Sequence, residues 1–123
     1  VRMGRRGIAE ALPGVVAAVR RGGHPVVWLS DPMHGNTVRA ANGMKTRFLS
    51  DVAAEAIAFG DILGRLGEHP GGLHLEVAAG DVTECVGGSV PDPAALRSRY
   101  TTLCDPRLNP EQAAALIDAL PWH

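Results

Sequence analysis

The side chains in this sequence that could do chemistry fall into three polar clusters. The first is Asp31-Pro32-Met33-His34-Gly35-Asn36-Thr37, the second His74-Leu75-Glu76, and the third Cys104-Asp105-Pro106-Arg107-Leu108-Asn109. Together His34, Glu76 and Asp105 offer one imidazole and two carboxylates. That donor set suits a hard-to-borderline divalent cation such as manganese, iron or zinc. Glu76 stands in an apolar stretch, where a carboxylate costs several kcal/mol unless it is paired or metal-bound. It therefore reads either as a functional group or as half of a structural ion pair. His34, in a Pro/Gly-containing loop, reads equally as an exposed turn residue. Cys85 and Cys104 have no Cys-x-x-Cys partner and read as plain thiols.

The elements that must position these groups follow from periodicity and punctuation. Ile8–Leu12 reads as helix, and Pro13 can open a second short helix, Gly14–Arg21, closed by Gly22-Gly23. Val15, Val16 and Val19 share its apolar face. Pro25–Ser30 is short, apolar and β-branched, the pattern of a strand buried on both faces. Asp31–Thr46 reads as a long polar loop. Ser50 suits the N-cap of a helix to about Leu66, with Gly67 after it and Val52, Ala56, Phe59 and Leu63 on one face. Leu73–Val77 reads as a second strand, with His74 and Glu76 on the same side of it. Ala79–Pro91 reads as a glycine-rich loop and Pro93–Arg99 as a short helix. Asn109-Pro110-Glu111-Gln112 carries the start signal of a last helix, ending near Leu120-Pro121.

Helices alternating with strands predict a parallel α/β sheet. Two strands cannot cover both faces or satisfy their edges, so the chain reads as part of a larger fold. In α/β barrels the chemistry sits at the carboxyl ends of the strands, which would gather His34, Glu76 and Asp105 at one rim.

Composition narrows the partners. In 123 residues, 12 Lys+Arg stand against 13 Asp+Glu. Near-neutral charge gives no electrostatic reason to expect nucleic acid or an anionic membrane. The longest apolar runs fall far short of the ~20 residues a bilayer helix needs. With two cysteines there is no disulfide framework, which makes a reducing cytoplasm the default expectation.

Asp31–Thr37 followed by Gly43-Met44-Lys45-Thr46-Arg47 closely resembles the class II 3-deoxy-D-arabino-heptulosonate 7-phosphate (DAHP) synthases. Further blocks match in order. They are Arg2-Met3-Gly4, His69–Glu76, Val82-Thr83-Glu84-Cys85-Val86-Gly87-Gly88, and Tyr100 with Cys104–Asn109. The resemblance covers nearly the whole chain. It implies a (β/α)8 TIM barrel, of which residues 1–123 would be a partial domain, about the last three βα units, with the N-terminal strands absent. It also implies a transferase that opens the shikimate pathway towards chorismate and the aromatic amino acids. The reaction condenses phosphoenolpyruvate with D-erythrose 4-phosphate to give DAHP and phosphate.

By the same resemblance His34, Glu76 and Asp105 match three metal ligands of the family, and Arg2 an arginine that binds phosphoenolpyruvate. The metal is expected to be Mn2+, with Co2+ as the other choice, and would polarise the aldehyde oxygen as a Lewis acid. Lys45 and Arg47 read as further substrate-anion contacts or as solvated loop charges. His74 is a candidate to orient a ligand or a water. The family's fourth ligand, a cysteine, belongs to an early strand this sequence lacks, and neither Cys85 nor Cys104 takes its place. Where the family has Thr-Gly after the His-x-Glu strand, this chain has Ala79-Gly80.

A complete barrel takes ~250 residues. The expectation is a piece of a longer enzyme, assembled with its missing N-terminal barrel segment and homo-oligomeric as a full-length protein. On its own it should be inactive, with exposed sheet edges. Two alternatives stand beside it: a truncated non-catalytic remnant, and an amino-DAHP synthase-like paralogue of secondary metabolism.

Overall fold

The computed structural model describes residues 1–122. Its first helix, α1 (Ile8–Gly22), is continuous through Pro13, where the sequence suggested two helices. An interior proline removes a hydrogen bond, but Ile8, Leu12 and Val16 recur every four residues and pack on a common partner across that break. Val15, expected on the buried face, is exposed instead. Gly23 closes the helix in the left-handed conformation, its N–H bonded to the Arg20 carbonyl.

The partner is α2 (Leu49–Arg65), which buries Phe59, Ile62 and Leu63 against α1 together with Trp28. Its predicted face of Val52, Ala56, Phe59 and Leu63 is fully buried. Its N-cap is Phe48 with no side-chain cap bond, so Ser50 lies inside the first turn rather than before it.

Two short strands, β1 (Trp28–Ser30) and β4 (Pro70–Leu73), pair in parallel, Ser30 opposite Leu73. The ladder extends beyond them through single links. Asp31 N–H donates to the Val1 carbonyl at 2.7 Å, and His74 N–H to that of Ser30 at 2.7 Å. Further along, Leu108 N–H donates to the Glu76 carbonyl at 2.9 Å. The second strand therefore sits three residues earlier than Leu73–Val77, and only an isolated parallel bridge, Val77 to Leu108, marks its predicted end. Gly71 explains the shift. A Cβ there would lie 2.5 Å from a Val27 methyl and 2.9 Å from the Trp28 carbonyl, so this close pairing needs glycine. β1 is not buried on both faces: Trp28 and Ser30 are covered, but Leu29 is 47% exposed.

Within the predicted polar loop the chain forms a hairpin, β2 (Thr37–Arg39) antiparallel to β3 (Lys45–Arg47). Its turn is closed by Gly43 N–H to the Ala40 carbonyl, and Asn42 accepts from Met44 N–H. Strand β3 is also held on its far side, Val86 N–H donating to the Arg47 carbonyl and Leu49 N–H to that of Val86. The last helix, α3 (Pro110–Asp118), has the full capping box of Asn109 and Gln112. Its Gln112 side chain donates to the Cys85 and Gly87 carbonyls, tying α3 to the 82–88 loop. The described residues thus form a mixed α/β unit. Among them no helix is long and apolar enough to cross a membrane.

Candidate metal centre

His34 opens a single 3-10 turn, His34–Asn36, just past the end of β1. Asp31 builds that turn: its Oδ1 accepts the backbone N–H of Met33 and His34 at 3.1 and 3.2 Å. The same carboxylate meets the imidazole Nδ1 at 2.8 Å. An aspartate on Nδ1 fixes the tautomer and turns the Nε2 lone pair outward. Burial pushes the Asp31 carboxyl up, but the hydrogen bonds from His34 and Met33 outweigh it and leave Asp31 below the usual carboxylate range.

Nε2 points at the other two predicted residues. It lies 3.2 Å from Glu76 Oε1 and 3.8 Å from Asp105 Oδ2. One donor atom from each of the three residues falls within 4.8 Å of the others. Donors that share an ion at about 2.0–2.2 Å stand roughly 3–4 Å apart, so the donor set and its spacing fit a divalent cation. The remaining oxygen of each carboxylate is already occupied. Glu76 Oε2 accepts from Arg47 Nη1 at 2.5 Å, and Asp105 Oδ1 from Lys45 Nζ at 2.5 Å. The Lys45 ammonium holds the Asp105 carboxyl below its usual range, and is itself raised by that bond.

The remaining predicted residues are placed differently. Arg2 is exposed, beside β1, with its Nε 3.9 Å from Asp31 Oδ2, on the same rim as His34. The guanidinium of Arg47 is not a loop charge. It is fully buried, donating to Glu76, to Thr37 Oγ1 at 2.8 Å and to the Pro106 carbonyl, and its Nη2 has no partner. That placement turns it inward to Glu76. His74 is exposed and outside the cluster. Cys85 is buried, its thiol pushed up to about 12 by burial, and Cys104 is exposed.

The class-II DAHP synthetase family model matches residues 1–120. The chain belongs to the class-II DAHP synthetase family. Among curated relatives it is 49% identical over 120 residues to the phospho-2-dehydro-3-deoxyheptonate aldolase of Streptomyces coelicolor, covering 94% of this chain and 26% of that one. It is 48% identical over 121 residues to a probable phospho-2-dehydro-3-deoxyheptonate aldolase of Pseudomonas fluorescens, covering 96% and 29%. To the AroG enzyme of that name from Mycolicibacterium smegmatis it is 43% identical over 117 residues, covering 94% and 25%. The chain therefore spans between a quarter and three-tenths of the length of these relatives.

In this segment, sequence reasoning missed the two buried carboxylates that support the cluster. Glu55, on α2, is fully buried. One of its oxygens accepts Met3 and Gly4 N–H, each at 3.0 Å, and the other accepts the Asn36 amide at 2.7 Å. It so clamps the Arg2 segment onto the turn that carries His34. Burial pushes its carboxyl above the usual range against those bonds. The two backbones touch there: a Cβ on Gly35 would lie 2.3 Å from Gly4 N. Glu84, also fully buried, accepts the N–H groups of Thr101, Thr102 and Arg107 and the Arg107 guanidinium. It shapes the loop that delivers Asp105. Arg47 and Lys45 come to the site on one face of β3, two residues apart. That element had a readable signal, Asn42-Gly43 between two β-prone runs.

Proposed function

We propose that this chain is the metal-binding sector of a DAHP synthase, forming about the last three βα units of a (β/α)8 barrel whose other strands and phosphoenolpyruvate contacts lie in upstream sequence. The reaction is the condensation of phosphoenolpyruvate with D-erythrose 4-phosphate to DAHP and phosphate. The observation that carries this reading is the convergence of His34 Nε2, Glu76 Oε1 and Asp105 Oδ2 from three separate segments. A parallel run from Val1 through β1 and β4 to Leu108 agrees with a barrel sector, as do apolar strand residues left in the open, Leu29 and Val77.

In this reading His34, Glu76 and Asp105 hold a divalent cation, Mn2+ or Co2+, which when bound supplies Lewis acidity to the aldehyde oxygen. Asp31 keeps the proton on Nδ1 so that Nε2 faces the cation. Arg2 presents a planar fork to the carboxylate or phosphate of phosphoenolpyruvate. Glu55 holds Arg2 and His34 at a set separation through its bonds to Met3, Gly4 and Asn36. The cytoplasm is the compartment that fits an enzyme of phosphorylated substrates, and both cysteines of this segment are free thiols.

Complementation with the upstream barrel segment tests the reading. The assembled protein should release phosphate from phosphoenolpyruvate only when both erythrose 4-phosphate and Mn2+ are present, and His34→Ala should bind no Mn2+ while keeping its helical circular dichroism. An assembled, folded protein without this activity would leave the remnant reading, and full Mn2+ binding by His34→Ala would remove His34 as a ligand.

A further inference from the structure

The carboxylates of the cluster are not free to choose how they bind. Each has one oxygen facing His34 Nε2 and the other committed to a cation of β3. Arg47 is the stronger restraint. Its side chain is fully buried, and it bonds Thr37, Glu76 and the Pro106 carbonyl. Those partners lie three residues after His34, at the second ligand itself, and next to Asp105, so one guanidinium touches all three ligand-bearing segments. Lys45 is 40% exposed and grips Asp105 Oδ1 alone, with β3 steadied by Tyr100, whose hydroxyl donates to the Lys45 carbonyl at 2.6 Å. Residues two apart on a strand share a face, which is why both cations arrive together.

We propose that Arg47 and Lys45 are positioning residues that leave Glu76 and Asp105 one free oxygen each, so that a cation held by the cluster keeps coordination positions for substrate. A carboxylate with both oxygens free can bind a cation through both and fill a position the reaction needs. Arg47 also neutralises Glu76, so its loss need not weaken cation binding. This role rests on the cluster being the metal centre proposed above.

The test uses the full protein loaded with one equivalent of Co2+, whose visible bands lose intensity as coordination number rises. Wild type, Arg47→Met, Arg47→Lys and Lys45→Met are compared by Co2+ titration, visible spectrum and steady-state kinetics. Arg47→Met should bind Co2+ within about tenfold of wild type but with weakened bands, and its kcat should fall about 10–100-fold. Arg47→Lys, keeping a charge without the fork, should fall between, and Lys45→Met should show the same spectral change in smaller degree. Bands like wild type in folded, Co2+-binding variants overturn the proposal. So does a rise confined to the phosphoenolpyruvate KM, the mark of a plain substrate contact. Should the Arg47 variants not fold, Lys45→Met decides the question through Asp105. A wild-type protein that binds no Co2+ refutes the metal centre itself, a separate result.

Discussion

The two ion pairs that flank the cluster look alike in sequence and differ in physics. Lys45–Asp105 and Arg47–Glu76 each join a β3 cation to a candidate ligand at 2.5 Å. In the first, both partners keep substantial contact with water, so screening removes most of the attraction and side-chain entropy opposes it. In the second, the cation is wholly withdrawn from solvent while Glu76 keeps 29% of its exposure. A buried charge depends on its partner far more than an exposed one does. The buried arm therefore contributes to the stability of the fold, whereas the open arm contributes little to it.

The largest expected effect lies on the buried arm. Glu76→Ala should abolish metal binding and also destabilise the protein by about 3–5 kcal/mol, because it strands the Arg47 guanidinium without its counter-charge. Urea unfolding of the full protein measures this, and an unchanged midpoint would erase the distinction between the arms. For the same reason Glu76→Gln, which keeps a hydrogen-bond acceptor, is the cleaner probe of the ligand role.

A second buried carboxylate sharpens the comparison. Glu84 is fully buried and faces Arg107 and three backbone N–H groups. Burial pushes its carboxyl up, but those bonds prevail and leave it below its ordinary 4.5. Its stabilising contribution is complete above about pH 4.5 and is lost as pH falls through the lowered folded value. Glu84→Gln should therefore be less stable than wild type at pH 7, and the gap should close in acid. Parallel stability curves down to pH 2 would contradict this.

Smaller again is Asn109→Ala, which removes the α3 N-cap and the side-chain bond to the Val82 carbonyl. About 1 kcal/mol should be lost, read as a lower urea midpoint with the slope unchanged. Smallest is Lys45→Met on the open arm. Its thermal midpoint should match wild type at physiological salt, the difference showing only in the Co2+ spectrum and turnover. A large stability loss here would make the two arms equivalent.

Much of the architecture is legible in local sequence patterns. The α2 face of Val52, Ala56, Phe59 and Leu63 and the Asn109–Gln112 capping box are local patterns that the structure reproduces. Misreadings arose where tertiary contact overrode a local signal. Pro13 suggested a helix break, yet packing on α2 carries α1 through it. The second strand, predicted over Leu73–Val77, pairs with β1 over Pro70–Leu73 instead, where Gly71 lets the two backbones approach too closely for a side chain. The β2–β3 hairpin carries the Asn42-Gly43 turn signal within a segment whose polar composition reads as loop.

What the sequence by itself determined was the donor chemistry and the family: an imidazole and two carboxylates in separated motifs, with helices and strands alternating between them. Such features are encoded in residue type and short-range spacing. Only the tertiary structure decided which oxygen of each carboxylate is free, that Arg47 is an internal brace rather than a loop charge, and that Glu55 and Glu84 set the segments bearing His34 and Asp105 in place. Those outcomes depend on burial and on contacts between residues 10 to 60 positions apart, which no local pattern specifies.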